Sequence, residues 1–297
     1  MSRVLVTGAT GLLGSALVPH LTQRGHDVLR HGHAQPADVN ADLADAASTA
    51  TMLEQTRPEV VVNLAALTDV DRCETAPDDA YRLNGRAVEN LAAGIEQLGL
   101  DTHLIQISTD QLYDGAGPHA EDGVVVRNTY ALSKLAAELA ALRVPSTVLR
   151  TNFFGRSRRR GRPSFTDWLH NALTQQMPIT VFDDVLFGPL EIETLCGYIE
   201  LAVRAQPRGV FNLGSNDGLS KADFAFAFAQ LLGLPAGNMT RGRAAQMKSL
   251  KAVRPRDMRM NCGRFEQRMG VQLPRLIDQL ALMREAYGAA RSEPVNI

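Results

Sequence analysis

Hydrophobic positions change period along the chain. Short runs at Val4–Val6, Val28–Leu29, Val60–Val62, Leu104–Ile107 and Val148–Leu149 have the length and uniform apolarity of buried strands. Between them Leu12, Leu13, Ala16, Leu17 and Leu21 recur at helical spacing, and so do Leu83, Val88, Leu91, Ile95 and Leu98. Strands alternating with amphipathic helices predict an α/β fold built on a doubly wound parallel sheet of the Rossmann kind. The texture changes after about residue 150. Ser157–Pro163 is polar and arginine-rich, a predicted loop. Trp168–Leu173 and Glu191–Arg204 are predicted helices, and Ile179–Val181 and Val210–Leu213 predicted strands. Phe224, Phe226 and Phe228 alternate as in a strand. However, Ser220 stands where an N-cap belongs, Asp223 follows three residues on, and no turn signal intervenes through Leu232, which predicts a helix.

Composition narrows the classes. The chain has 297 residues, 45% apolar and 21% charged, as in an ordinary globule. Its 31 basic and 32 acidic side chains leave a formal charge of −1, so nucleic acid and anionic membranes gain no overall attraction. No apolar run approaches the ~20 residues of a membrane helix. Arg3-Val4-Leu5-Val6 opens the chain without the marks of a secretion signal. Cys73, Cys196 and Cys262 lie far apart, and neither they nor the 7 histidines match a metal-binding spacing. The expectation is a protein of a reducing cytoplasm, without metal, membrane or nucleic-acid partner.

Three motifs carry chemistry. Gly8-Ala9-Thr10-Gly11-Leu12-Leu13-Gly14 follows the first strand immediately and opens a helix. Glycines there let the backbone approach a dinucleotide pyrophosphate, which the free N–H groups of the helix start would bind. A tight turn with no ligand is the alternative. Second, the strand that ends at Leu29-Arg30-His31-Gly32-His33 carries no acid for a ribose 2′-hydroxyl. Arg30 and His31 would suit a 2′-phosphate, which favours NADPH over NADH, with NADH possible; solvated loop residues are the alternative. Asp42 and Leu43 could hold the adenine edge and face, or simply begin a helix. Third, Tyr130 and Lys134 fall four apart on one helix face, where the ammonium would favour phenolate and lower the tyrosine pKa. The predicted strand Leu104–Ile107 runs into Ser108-Thr109-Asp110, at the end where such sheets bind ligands. A hydroxyl there can hydrogen-bond the same carbonyl as Tyr130. An exposed helix pair and a capped turn are the bland alternatives.

In this order the motifs resemble the extended short-chain dehydrogenase/reductases, and most of all the dTDP-4-dehydrorhamnose reductases. Further matches are Asn63-Leu64-Ala65-Ala66 leading to Thr68-Asp69-Val70-Asp71, Asp114-Gly115, Leu149-Arg150-Thr151, Gly188-Pro189, Phe211-Asn212-Leu213-Gly214 and Arg254-Pro255. The resemblance implies hydride transfer from the nicotinamide to the C4 ketone of a nucleotide-linked 4-keto-6-deoxyhexose. It implies that Tyr130 protonates the alkoxide, that Lys134 holds the nicotinamide ribose, and that Thr109 orients the carbonyl. Leu64, Ala65 and Ala66 would line the cofactor. Thr68, Asp110, Asn152 and Arg254 would meet the sugar nucleotide. It further implies residues 1–155 as the cofactor-binding domain, with 185–215 returning to it. Residues 156–184 and 216–297 would form a smaller α+β C-terminal substrate lobe, and the protein would be a homodimer.

The chain departs from the family pattern where the sugar should bind. Asn152-Phe153-Phe154 replaces a run that commonly holds tryptophan, and Leu190 follows Gly188-Pro189. Arg156, Arg158, Arg159, Arg160 and Arg162 crowd one stretch, readable as a diphosphate-binding loop, a polyanion contact or a solvated loop. Two competitors share the resemblance. A sugar-nucleotide epimerase or dehydratase is one; Asp110-Gln111 lacks the second carboxylate a dehydratase wants. A non-catalytic NADP-binding regulatory subunit like that of methionine adenosyltransferase is the other.

Overall fold

The computed structural model describes residues 1–33, 36–159 and 161–288. The apolar runs become parallel strands: β1 (Arg3–Thr7), β2 (Asp27–Gly32), β3 (Val39–Asn40), β4 (Val60–Asn63), β5 (His103–Thr109) and β6 (Ser146–Thr151). Short pairs follow further along the chain. β7 (Phe153–Phe154) pairs with β10 (Leu190–Glu191), β8 (Ile179–Phe182) with β13 (Met239–Gly242), and β9 (Leu186–Phe187) with β12 (Leu219–Ser220). β11 (Gly209–Leu213) returns to the main sheet, whose order among the described residues is β11-β6-β5-β4-β1-β2-β3. The chain leaves β1 for β2 on one side and later returns to place β4 on the other. That reversal opens a crevice at the strand ends, where ligands of doubly wound sheets bind.

The helices are α1 (Gly14–Gln23), α2 (Ala46–Thr56), α3 (Val70–Thr75), α4 (Pro77–Ala80), α5 (Ala87–Gln97), α6 (Thr129–Ala141), α7 (Phe165–Thr174), α8 (Ile192–Ala205), α9 (Lys221–Leu232), α10 (Gly263–Met269), α11 (Leu276–Leu280) and α12 (Met283–Gly288). Leu17 and Leu21 of α1 and Leu195 and Ile199 of α8 cover one face of the sheet. Met52 and Leu53 of α2, Leu91 and Ile95 of α5 and Ala137 of α6 cover the other. Cover on both faces explains why β4, β5 and β6 are buried at every position, and β1 at all but its first, without alternation. A further cluster gathers Phe154, Leu169, Phe187, Phe224, Phe228 and Leu276 around α7 and α9.

The ambiguous phenylalanine run is helical. Ser220 accepts from the Asp223 amide, and Phe224 and Phe228, one turn apart, are buried while Phe226 is partly exposed. The helix expected through Leu83–Leu98 starts differently: Tyr81–Arg86 is a π-helical turn, and α5 begins only at Ala87. Glu191 is the cap of α8, accepting from the Glu193 and Thr194 amides at 2.9 Å each. Among the described residues no helix is long and apolar enough to cross a membrane.

Candidate active site

The carboxyl ends of β1, β4, β5 and β6 open into a cavity of about 570 Å³. Its floor is the glycine turn. Gly8 has φ +63°, and a Cβ there would lie 2.9 Å from the Ala65 amide nitrogen. At Gly14 a Cβ would fall 2.5 Å from the Gly8 carbonyl oxygen, so the helix can start this close to the strand only with glycine. No side chain caps the first amides of α1 and no acid lies in its first turn. The cradle therefore fits a diphosphate in both space and charge. Asn63 holds the strand ends beside it: its carbonyl accepts from the Thr7 hydroxyl, and its amide donates to Gln106 at 2.7 Å.

At the far end of the cradle the expected adenosine residues separate. His31 lines the cavity but is buried, not exposed; burial lowers its pKa. Its Nε2 lies 3.0 Å from the Ala41 carbonyl, and its buried Nδ1 has no partner among the described residues. Arg30 points elsewhere. Asp38 grips it through two bonds of 2.9 and 2.7 Å, and it does not line the cavity. Asp42 accepts from the Ala44 amide in the turn before α2. Leu43 packs in the core with Met52 and Leu53. Neither lines the cavity, because this short loop spends one side chain on its own turn and the other on the core.

Thr109, Tyr130 and Lys134 come together at the end of β5. Thr109 ends the strand, and its Oγ1 accepts from the Gln111 amide at 3.1 Å. Asn128 caps α6 through the Ala131 amide at 2.8 Å, which sets Tyr130 at the start of the helix facing Thr109. Burial pushes the Tyr130 phenol well above its ordinary pKa; a hydrogen bond with Thr109 opposes this, and Asp110 and Cys73 add to it. The expectation that Lys134 makes a phenolate is overturned. The ammonium donates instead to the Ile107 carbonyl at 2.7 Å, and burial brings its pKa down to about 8. In this arrangement Tyr130 is a neutral phenol, the form a proton donor needs. Ser108 turns away and donates to Glu138 at 2.5 Å. Glu138 in turn holds Arg150 at 2.7 Å in a buried pair beneath the site.

Asp110 and Asn152 also line the cavity, with the Asn152 amide donating to Asp110 at 2.7 Å. Burial raises the Asp110 carboxyl to about 6. Leu64, Ala65, Ala66 and Thr68 line the same space, as do Thr10, Gly11, Leu12 and Leu13. Arg254 does not; it is bound to Asp71 at 2.8 Å and borders a neighbouring groove.

The arginine run divides. Arg159 donates to the Thr10 carbonyl in the glycine turn, and Arg162 to the Thr68 hydroxyl at 3.4 Å; both line the cavity. Arg158 pairs with Glu193, Arg156 reaches the Ala286 carbonyl, and Arg160 lies outside the described residues. Two supports escaped the sequence pattern. Asn84, inside the π-helical turn, binds the Leu67 amide at 2.7 Å and Ser133 at 2.8 Å, fixing the loop before Thr68 to the helix of Tyr130. Lys221, the first residue of α9, holds its ammonium 5.6 Å from the centre of the Phe165 ring, and Phe165 lines the cavity. A π-turn has no hydrophobic period of its own, and Lys221 lies far from the motifs in sequence. Among the described residues no cluster of three metal-ligating side chains occurs.

A family model described as the RmlD substrate binding domain matches residues 2–288. A dTDP-4-dehydrorhamnose reductase of Streptomyces griseus is 32% identical over 86% of this chain and 84% of its own. A probable low-salt glycan biosynthesis reductase, Agl14 of Haloferax volcanii, is 29% identical over 95% and 97%. The methionine adenosyltransferase 2 subunit beta of Pongo abelii is 28% identical over 89% and 81%. Among solved structures, a dTDP-4-dehydrorhamnose reductase from Clostridium acetobutylicum superposes with TM-score 0.84 at 24% identity, over 97% of this chain and 99% of that one. The Bacillus anthracis dTDP-4-dehydrorhamnose reductase, solved in complex with NADP, does so with TM-score 0.84 at 21% identity over the same shares.

Proposed function

The chain belongs to the RmlD substrate-binding-domain family, and from that premise we propose that it reduces the C4 ketone of a nucleotide-linked 4-keto-6-deoxyhexose with NADPH. The oxidoreductase class rests on its reductase relatives. The observation that supports the finer reading most is the meeting of Thr109 and Tyr130 in the cavity that the glycine turn floors.

Residues 8–14 and 64–66 hold the cofactor, His31 lies at its adenosine end, and Lys134 meets the nicotinamide ribose. When bound, the reduced nicotinamide supplies the hydride. Thr109 holds the carbonyl oxygen by a hydrogen bond, and Tyr130 delivers its phenolic proton to that oxygen as charge develops there. Thr68, Asp110 and Asn152 contact the sugar nucleotide, and residues 156–184 and 216–297 are the proposed lobe that carries it, with 160 and 289–297 lying outside the described residues. His31, Gly32 and His33 line the adenosine end without a carboxylate, which favours NADPH while leaving NADH usable. Cys73, Cys196 and Cys262 are unpaired and buried, in keeping with a reducing cytoplasm. α6 leaves Leu132, Leu139 and Leu142 exposed, the apolar face through which two copies would form a homodimer.

The test is NADPH and NADH oxidation on a panel of nucleotide 4-keto-6-deoxyhexoses, with Tyr130→Phe as control. Turnover is expected with NADPH preferred, and the variant should lose about 10²–10⁴-fold in kcat. Silence across the panel while NADPH still binds would overturn the reading. It would favour a non-catalytic role, as a cofactor-binding subunit of another enzyme.

A further inference from the structure

Ser108 has no part in the chemistry above, although it stands directly before Thr109 in β5. Every position of this strand is buried, so packing alone would be met by an apolar residue. Instead the Ser108 hydroxyl reaches across to α6 and donates to the Glu138 carboxylate at 2.5 Å. In the pairing of β5 with β6, Ser108 stands opposite Arg150. Alternation puts both side chains on the face of Leu104 and Val148, where Ala137 of α6 packs. The same carboxylate binds both: Arg150 donates to it through bonds of 2.9 and 2.7 Å.

Stability is a poor reason for this arrangement. The Arg150 and Glu138 side chains are only 4% and 2% exposed. Replacing such a buried ion pair by packed apolar residues is often neutral or stabilising. What the pair supplies is a fixed position. Tyr130, Lys134 and Glu138 fall four apart on the buried face of α6 and meet three successive residues of β5. Tyr130 faces Thr109, Lys134 donates to the Ile107 carbonyl at 2.7 Å, and Glu138 accepts from Ser108. Lys134 is also read as a ligand of the nicotinamide ribose, so the Ser108–Glu138 bond is the tie between strand and helix with no second duty. Arg150 extends it into the segment after Asp110, donating to the Tyr113 hydroxyl at 2.7 Å and the Glu121 carbonyl at 2.6 Å.

We propose that Ser108 is a positioning residue: through its bond to Glu138 it sets how α6 sits on the sheet, so that the Thr109 hydroxyl and the Tyr130 phenol converge on one carbonyl oxygen. This rests on reading Thr109 and Tyr130 as the groups that meet that oxygen. Glu138 lies eight residues beyond Tyr130, about 12 Å along the helix, so a small tilt at Glu138 reaches the phenol through a rigid rod. Proton transfer requires hydrogen-bond reach, and a displacement of ~1 Å can cost on the order of 10²-fold. The two neighbours in β5 then divide one task. Thr109 touches the substrate, and Ser108 places the helix that carries the proton donor.

The test is Ser108→Ala, which removes this tie and leaves the Glu138–Arg150 pair in place. Ser108→Cys, whose thiol is a weak donor, stands in should Ala fail to fold. With dTDP-4-dehydrorhamnose as substrate, kcat should fall on the order of tenfold or more, with KM and the NADPH Kd kept within about twofold. A second readout needs no turnover. The 5 tyrosines are replaced by 3-fluorotyrosine, and the Tyr130 resonance, assigned with Tyr130→Phe, is followed by ¹⁹F NMR in the NADP-loaded protein. It should shift by more than its line width in the Ser108 variant. A wild-type kcat or an unmoved Tyr130 resonance would overturn the proposal. So would a rise of KM and Kd together with the kcat loss, the mark of general loosening. An inactive wild-type protein whose Tyr130 resonance still moves in the variant would sink the assigned reaction and leave the placing of Tyr130 by Ser108 established.

Discussion

A single arginine changes meaning according to its partner. Arg30 is suited by type to a 2′-phosphate, but Asp38 takes the Nε and Nη2 edge of its guanidinium in a bidentate pair. Arg254 is likewise spent on Asp71. Arg159 and Arg162 differ from these: each reaches into the cavity, and its partner there is uncharged. A carbonyl or hydroxyl satisfies a guanidinium less well than a phosphate does. Arg159 rests on the glycine turn and Arg162 on Thr68, so the two should serve different ligands. Arg159→Ala is expected to raise the NADPH Kd on the order of tenfold, read by nucleotide fluorescence at low salt. Arg162→Ala should leave that Kd unchanged and raise KM for the sugar nucleotide instead. Equal effects of both variants on both constants would show that the loop acts as a diffuse positive field. Tyr130 makes a related point. Its spacing from Lys134 is visible in the sequence, but the direction of its pKa depends on burial, to which the Asp110 and Cys73 charges add.

At the scale of elements, most of the site was legible because its parts are local. β1, the glycine turn and α1 are contiguous, so one stretch of chain dictates strand, cradle and helix start. The same holds for the Asn128 cap with Tyr130 and for the Ser220 cap with α9. What stayed hidden needed partners distant in sequence, such as Asp71 for Arg254, or a backbone form without a period, such as the turn Tyr81–Arg86 that carries Asn84. Asp42 and Leu43 misled because a turn acid and a core leucine look the same as a ligand pair until the loop is folded. The glycine turn itself offers a sharp test. In Gly14→Ala the new methyl would stand 2.5 and 2.6 Å from the Gly8 and Ala9 carbonyl oxygens, both backbone atoms that cannot swing aside. We expect a loss of about 1–3 kcal/mol in thermal or urea unfolding. The NADPH Kd should rise more than tenfold as α1 is pushed off the strand end. A variant of wild-type stability and affinity would mean that the turn yields and that its glycines do not set the cradle.

Across the whole molecule the charge and the apolar surface point the same way. A net charge of −1 gives two copies almost no electrostatic reason to stay apart. Leu132 and Leu139 are 58% and 63% exposed, two turns apart on α6, and Leu142 at its end is 44% exposed. Tyr81, 40% exposed, belongs to the π-helical turn that packs on the same helix. Few exposed leucines are informative singly, but a row of them on one helix is the surface on which the proposed homodimer would be tested. The inward face of α6 carries Tyr130 and Lys134, so an association here would brace the catalytic helix from behind without covering the cavity mouth. A stable pairing buries roughly 800 Å² on each partner, and a buried carboxylate at its centre would be strongly unfavourable. Leu139→Glu is therefore expected to convert a dimer into a monomer in light scattering coupled to size exclusion. The monomer should bind NADPH with unchanged Kd, since α1, which opens the cradle, packs on the opposite face of the sheet from α6. A wild-type protein that is already monomeric at micromolar concentration would overturn the homodimer, and a Leu139→Glu protein that remains dimeric would move the interface to another face.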